Sequence, residues 1–286
     1  MKTFATLCTA LFLPAAVQIL SAQERQVDPV SLQQISDHVY QINGGSGANG
    51  GLIVCETGLV VIDSKMDESS VKQSLEAIRA ISGKPILYLV NTHSDGDHIQ
   101  GNRFFPQGIT VVAHENCRAD FFKENFGRPS DWGEEAFYPF TPSLTFTDHL
   151  TLWLGQDRID LQYFGRGHTS GDIVVTLPGE KVAFIGDLFF AGRPQLIHSV
   201  KEGDSFQYVK TLTGILESVD AETYISGHSA PVGKEELIAH IAGVEKRQQK
   251  VKELMEAGMD LEAVLGEFEE SEARLVTSMV EEIGGQ

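Results

Sequence analysis

Four apolar runs in this 286-residue chain stop at the same kind of place. "ILYLV" leads into "NTHSDGDHIQGN" (91–102), "IDLQYFG" into "RGHTSGD", "KVAFIG" into "DLFF", and "TYIS" into "GHSAP". Each junction sets histidine or aspartate just past a strand-like segment, next to a glycine that lets the backbone bend sharply. One such junction means little, because a lone histidine belongs more often to a packed interior and "HSDGDH" alone reads as an exposed polar turn. Four of them together demand a fold that gathers strand ends along one edge, around one object. In the first junction His93, Asp95, Asp97 and His98 fall within six positions. Asn91, Ser94, Asp95 and Gly96 favour a tight turn there over a helix. Imidazoles and carboxylates at alternating turn positions can aim at a single point, as a metal site requires. His168, Asp187 and His228 are the candidates from the other three junctions.

The rest of the chain alternates strand-like and helical text. "HVYQI", "GLIVC", "GLVVID", "PILYLVN" and "ITVVAH" read as strands, with helices expected over 70–81 and over "ENCRADFFKENFG", the latter ended by Gly127 and Pro129. Residues 127–147 read as an irregular aromatic surface loop bordering a site. Hairpins are expected through Gly155 and through "PGE", then a helix over 205–219 and the strand "TYISGH". Phe189 and Phe190 are expected to alternate on a strand, one of them facing the core. Two strand-rich halves, each closed by helices, predict an α+β fold, a four-layer αββα sandwich with two sheets face to face. Residues 233–286 read as a helical extension, with apolar stripes at Leu237, Ile241, Val244, Val251, Leu254 and Met255, and at Leu275, Val276, Met279, Val280 and Ile283. It would cover the sandwich or pair with a second subunit.

Lys2, an apolar stretch from Phe4 to Leu20 and then "SAQERQ" read as a secretory signal peptide cut after Ala22. The run is too short and too interrupted, by Pro14 and Gln18, to span a membrane. The expected plan is a leader at 1–22, a domain at 23–232 and the extension at 233–286, in a periplasmic or secreted protein with no membrane attachment after cleavage. Forty acidic against 22 basic residues, net −18, with no basic stripe, exclude a nucleic-acid partner and leave a small-molecule substrate. Export permits a disulfide between Cys55 and Cys117, but both close apolar runs, where buried free thiols are the favoured expectation. "GGSGANGG" (44–51) lacks the Lys-Ser or Lys-Thr of a phosphate loop and reads as a hairpin loop able to flank the site. No serine sits in a GxSxG elbow.

Taken together, the seven positions resemble the metallo-β-lactamase superfamily, whose pattern is His-x-His-x-Asp-His followed by a histidine, a bridging aspartate and a last histidine. The likeness runs from about His38 to Pro231. It implies the same αββα fold with two divalent cations at one edge between the sheets, zinc first. His93, Asp95 and His168 would hold one, Asp97, His98 and His228 the other, with Asp187 bridging. A metal-bound hydroxide would then cleave an ester, thioester, lactone or amide (β-lactam) bond, with Asp97 the catalytic residue that orients it. Asp63 is the candidate hydrogen-bond partner behind a ligand imidazole. Arg166, Phe190, Arg193 and His198 are candidates to meet the substrate.

Two departures from the pattern matter. Asp95 stands where histidine is usual, either as a ligand or as a solvent-facing side chain; as a hard oxygen ligand it favours iron or manganese more than imidazole does. That change resembles the flavodiiron branch, so a diiron redox protein is the alternative, although no flavin module accompanies it; a non-catalytic metal-binding member is another. Asp187 stands where true β-lactamases usually have cysteine or serine, and looks more like the glyoxalase II pattern.

Overall fold

The computed structural model describes residues 27–124 and 127–285; the expected leader lies outside the described residues. The first sheet runs in chain order: β1 (Ser31–Gln34), β2 (Val39–Asn43), β3 (Gly50–Val54), β4 (Leu59–Ile62), β5 (Ile86–Val90), β6 (Thr110–His114) and β7 (Leu144–Phe146). Its first four strands pair antiparallel and its last four parallel. The second sheet has the order β12 (Thr223–Ser226), β11 (Val182–Gly186), β10 (Ile173–Leu177), β9 (Asp157–Tyr163) and β8 (His149–Leu154).

Strand alternation builds the layers. In β4, Val60 and Ile62 join Val39, Ile53, Val90 and Val112 between the sheets, where they meet Leu152, Ile159, Leu161, Val175 and Phe184 of the second sheet. Leu59 and Val61 of the same strand face outward, against Val71 and Ile78 of helix α1 (Glu68–Ile81). In β11, Val182 and Phe184 point between the sheets, and Ala183 and Ile185 point to the opposite helical layer. Strands buried on both faces read as unbroken apolar runs. Each Val, Leu or Ile so buried stabilises the fold by about 1.5–3 kcal/mol. The αββα sandwich expected from the sequence is therefore the fold.

The second helical layer contains α4 (Ser205–Ser218) and the C-terminal helices α5 (Lys234–Glu256), α6 (Leu261–Leu265) and α7 (Ala273–Gly284). Leu237, Ile241, Val244, Val251, Leu275, Val276 and Met279 pack with Tyr208, Leu212 and Ile215 of α4 and Tyr224 of β12. The apolar stripes of the extension thus cover the second sheet.

Four local expectations need correction. The turn at 91–95 passes into a one-turn helix α2 (Gly96–Ile99), because the Asp95 carbonyl accepts from the amides of both His98 and Ile99. Helix α3 (Glu115–Phe121) stops well short of Gly127, its last carbonyls taken by the amides of Phe122 and Lys123. The loop over 127–147 contains a 3-10 turn at Tyr138–Phe140 and β7, an edge strand too short to leave a period-two signal. Phe189 and Phe190 lie beyond the end of β11, and both are buried. Cys55 and Cys117 are free and buried, as favoured.

Candidate metal centre

All four junctions open on one edge of the sandwich, each following a strand. His93 and Asp95 follow β5, and Asp97 and His98 sit on α2. His168 lies in the turn between β9 and β10, Asp187 directly follows β11, and His228 follows β12. The seven side chains form two adjacent groups: His93, Asp95, His168 and Asp187 in one, Asp97, His98 and His228 in the other, the possible donor atoms of each lying within 4.8 Å of one another.

Asp187 stands at their junction. Its Oδ1 is 3.2 Å from His98 Nε2, and its Oδ2 is 3.3 Å from His228 Nε2, 3.8 Å from His168 Nε2 and 3.9 Å from His93 Nε2. Asp97 Oδ2 lies 3.0 Å from His228 Nε2 and 3.9 Å from His98 Nε2. Only glycine fits at 227, since a Cβ there would come 2.4 Å from Asp187 Oδ1 and 2.6 Å from the His98 ring.

Hydrogen bonds behind the site fix the ring orientations. Asp63, at the end of β4, accepts from His98 Nδ1 (2.7 Å) and from the amide and hydroxyl of Thr92 (both 2.8 Å). The Thr92 hydroxyl in turn accepts from His93 Nδ1 (3.1 Å). His168 Nδ1 donates to the carbonyl of Leu196 (2.8 Å). With their Nδ1 protons committed, these rings turn Nε2 lone pairs inward. His93 Nε2, His98 Nε2 and Asp187 Oδ1 are buried with no hydrogen-bond partner, a costly arrangement unless a cation takes up the lone pairs.

Electrostatics agree. Burial works against charge on His98, but Asp187 and Asp63 outweigh it and raise its pKa well above the ordinary value. Burial likewise opposes protonation of His168 and His228, yet Asp95 at the first, and Asp187 with Asp97 at the second, raise both to about 9. Burial would raise Asp187, but His98, His228 and His93 hold it well below the usual carboxylate range. A field that holds protons on these nitrogens favours divalent cations at the same points. The donors therefore fit metal, and the nitrogen-rich set suits zinc, with oxygen donors that also admit iron or manganese.

Asp95 faces inward. Its Oδ2 lies 3.0 Å from His168 Nε2, 3.3 Å from His198 Nε2 and 3.7 Å from His93 Nε2. Its Oδ1 accepts from the buried ammonium of Lys201 at 2.7 Å. Burial alone would raise this carboxyl, but the bonds from His168 and His93 carry it far below the usual range. Burial lowers His198 to about 4.

The other candidates divide. Phe190 is buried between the rings of His168 and His228, with centroids 6.1 and 5.6 Å away, and Arg193 stacks on it at 3.9 Å. Arg166 is half exposed and pairs with Glu202 at 3.4 Å. The 44–51 hairpin does border the site: the Ala48 amide donates to the Asp97 carbonyl and that of Asn49 to Gly227. A cavity of about 900 Å³ is lined by Ser94 and Gly96 of the ligand loop with Asp120, Trp132, Val200 and Lys201.

Sequence reading missed Thr92, Lys201 and a chain of contacts from the C-terminal helices. Gln195 Nε2 donates to the carbonyls of Asp187 and Leu196, and its Oε1 accepts from the Tyr208 hydroxyl, which lies 2.7 Å from His240 Nε2 on α5. Nothing in spacing or composition signals these partners, because they are joined only by the tertiary fold.

A family model described as the metallo-beta-lactamase superfamily matches residues 43–228. The type 2 metallo-beta-lactamase of Bacteroides fragilis is 26% identical, over 84% of this chain and 94% of that protein; that of Elizabethkingia meningoseptica is 25% identical, over 70% and 85%. Among solved structures, DIM-1 metallo-beta-lactamase superposes with a TM-score of 0.63 at 21% identity, covering 77% of this chain and 99% of that one. The stereoselective inverting sec-alkylsulfatase Pisa1 from Pseudomonas sp. gives 0.70 at 16% identity, covering 88% and 50%.

Proposed function

Given that the chain belongs to the metallo-beta-lactamase superfamily of metal-dependent hydrolases, we propose that it is an exported binuclear hydrolase cleaving an ester, thioester, lactone or amide bond, β-lactams included. The observation that carries this reading is Asp187, a single carboxylate within 4 Å of four imidazole nitrogens from two donor groups. His93, Asp95 and His168 would hold one cation, Asp97, His98 and His228 the other, and Asp187 both. Divalent cations bound there supply an acidified water and polarisation of the scissile carbonyl.

The protein's own groups do the positioning. Asp97 is the most exposed of the three carboxylates in the two donor groups, and its Oδ2 lies 3.0 Å from Nε2 of the exposed His228. It orients the attacking water and accepts its hydrogen bond. Burial opposes ionisation of Asp97, but the His228 bond and the His98 charge lower its pKa, so it stays an acceptor. Asp63 holds His98 directly and His93 through Thr92. Phe190 and Arg193 form a wall between His168 and His228 suited to the apolar body and anionic group of a small substrate.

Export rests on the leader at 1–22; no described helix is long and apolar enough to cross a membrane. The B. fragilis and E. meningoseptica relatives make β-lactams the first substrates to test. Turnover of an ester, lactone and β-lactam panel should vanish in excess chelator and return with zinc, manganese or iron. Turnover undiminished by a strong chelator rejects the proposal. Elemental analysis of protein purified without added metal should give two equivalents per chain and identify them.

A further inference from the structure

We propose that His198 is a ligand of the first metal position, giving it three imidazoles, His93, His168 and His198, beside the Asp95 carboxylate. The inference rests on the binuclear reading above. Bonds of 2.0–2.2 Å bring the donors around one zinc ion to roughly 3–4 Å from their neighbours. Asp95 Oδ2 has three Nε2 atoms at 3.0, 3.3 and 3.7 Å, and the middle one belongs to His198. The His198 and His168 rings meet edge to face with centroids 4.8 Å apart, much like the His93 and His168 rings at 4.9 Å.

The backbone fixes this placement. The His198 amide donates to the His168 carbonyl (2.8 Å), that of Ser170 to Lys201 (2.9 Å), and that of Asp204 to Gly167 (3.1 Å), so 198–204 is stitched along the His168 turn. A Cβ at Gly203 would come 2.3 Å from the His168 carbonyl oxygen, which shows how tightly the two segments close. Lys201, one 3-10 turn after His198, engages Asp95 Oδ1 and the Ser94 carbonyl, leaving Oδ2 to face the imidazoles. Aspartate at the second position of the motif removes a nitrogen donor. His198 returns one from elsewhere in the chain, and with Asp187 as the second carboxylate a set of three nitrogens and two oxygens keeps the preference for zinc. His198 thereby leaves the group of substrate contacts expected from the sequence.

The test uses full-length protein carrying ¹⁵N-histidine, titrated with zinc and followed by long-range ¹H–¹⁵N spectra, together with calorimetric titration of His198→Ala and His198→Gln. Wild type should bind two equivalents, with the His198 Nε2 resonance moving together with those of His93 and His168. Either variant should weaken one equivalent by roughly 100-fold or more and leave the other intact. Glutamine can still donate to Asp95, so a merely structural bond predicts wild-type affinity in His198→Gln. Two zincs bound with His198 Nε2 unmoved, or both bound normally by His198→Gln, overturns the proposal while sparing the binuclear reading. No zinc uptake by wild type overturns both. If a variant does not fold, the wild-type spectra decide alone.

Discussion

Lys201→Met removes a charge and little volume from a buried pair. The ammonium is 2.7 Å from Asp95 Oδ1 and 2.8 Å from the Ser94 carbonyl, and the residue is only 8% exposed. Breaking a buried pair from one side leaves the partner charge uncompensated, at about 3–5 kcal/mol. With metal bound, a cation on the other oxygen of Asp95 neutralises that carboxylate, and the lysine repels the cation through the same group. The loss in zinc should therefore be smaller than in chelator, by about 2 kcal/mol on half-compensation, and the thermodynamic cycle makes zinc bind roughly 30-fold tighter to the variant. Urea unfolding of both proteins in chelator and in saturating zinc measures all four corners. Equal losses in the two conditions would refute the electrostatic argument. So would a loss in chelator under about 1 kcal/mol, the range of an exposed pair.

Asp63→Asn keeps the shape but takes the charge from behind His98 and Thr92; zinc affinity should fall about 10–100-fold with the fold intact, as read by competition with a chromophoric chelator. Gly227→Ala places a Cβ 2.4 Å from Asp187 Oδ1; the variant should show a native far-ultraviolet dichroism spectrum, fewer than two bound metals and little turnover. Burial holds His240 at about 4, against an ordinary 6.5, so the folded form stays neutral while the unfolded chain takes up a proton as pH falls through 6.5. Stability is thus lost between pH 6.5 and 4, and on going from pH 7 to 5 His240→Gln should lose about 2 kcal/mol less than wild type in urea titrations. An identical loss in both proteins would remove His240 as the cause.

What was legible in the sequence was whatever repeats locally. Both-face-buried strands such as β4 and β11 announce themselves as apolar runs, and each ligand turn follows one with glycine alongside, so the sandwich and the gathering of His93, His98, His168, Asp187 and His228 followed together. Asp63 was legible because it ends such a strand. Segments held by pairing alone were not: β1, with the sequence SLQQ, has one apolar residue, and β7 has three residues in all. Phe189 and Phe190 were misplaced because a buried turn and a buried strand share composition. Lys201 and Gln195 were invisible for another reason, since a buried polar side chain is chosen by the atoms it must satisfy, and those lie far off in sequence.

The ligand turns come from both halves of the sandwich: residues 93–98 leave the first sheet, and His168, Asp187 and His228 belong to the second. A cation gripped by both, as proposed, would act as a removable cross-link between two sheets that otherwise meet through side chains and a few backbone bonds at the strand ends, such as Asn49 to Gly227 and Ile173 to Thr92. Because the cost of closing a chain loop grows only slowly with its length, one such rivet does nearly the same service however long the chain it encloses. On the proposed metal binding, apparent stability would then rise with free metal, so a copy starved of metal would be the one that exposes its interior and meets proteases first.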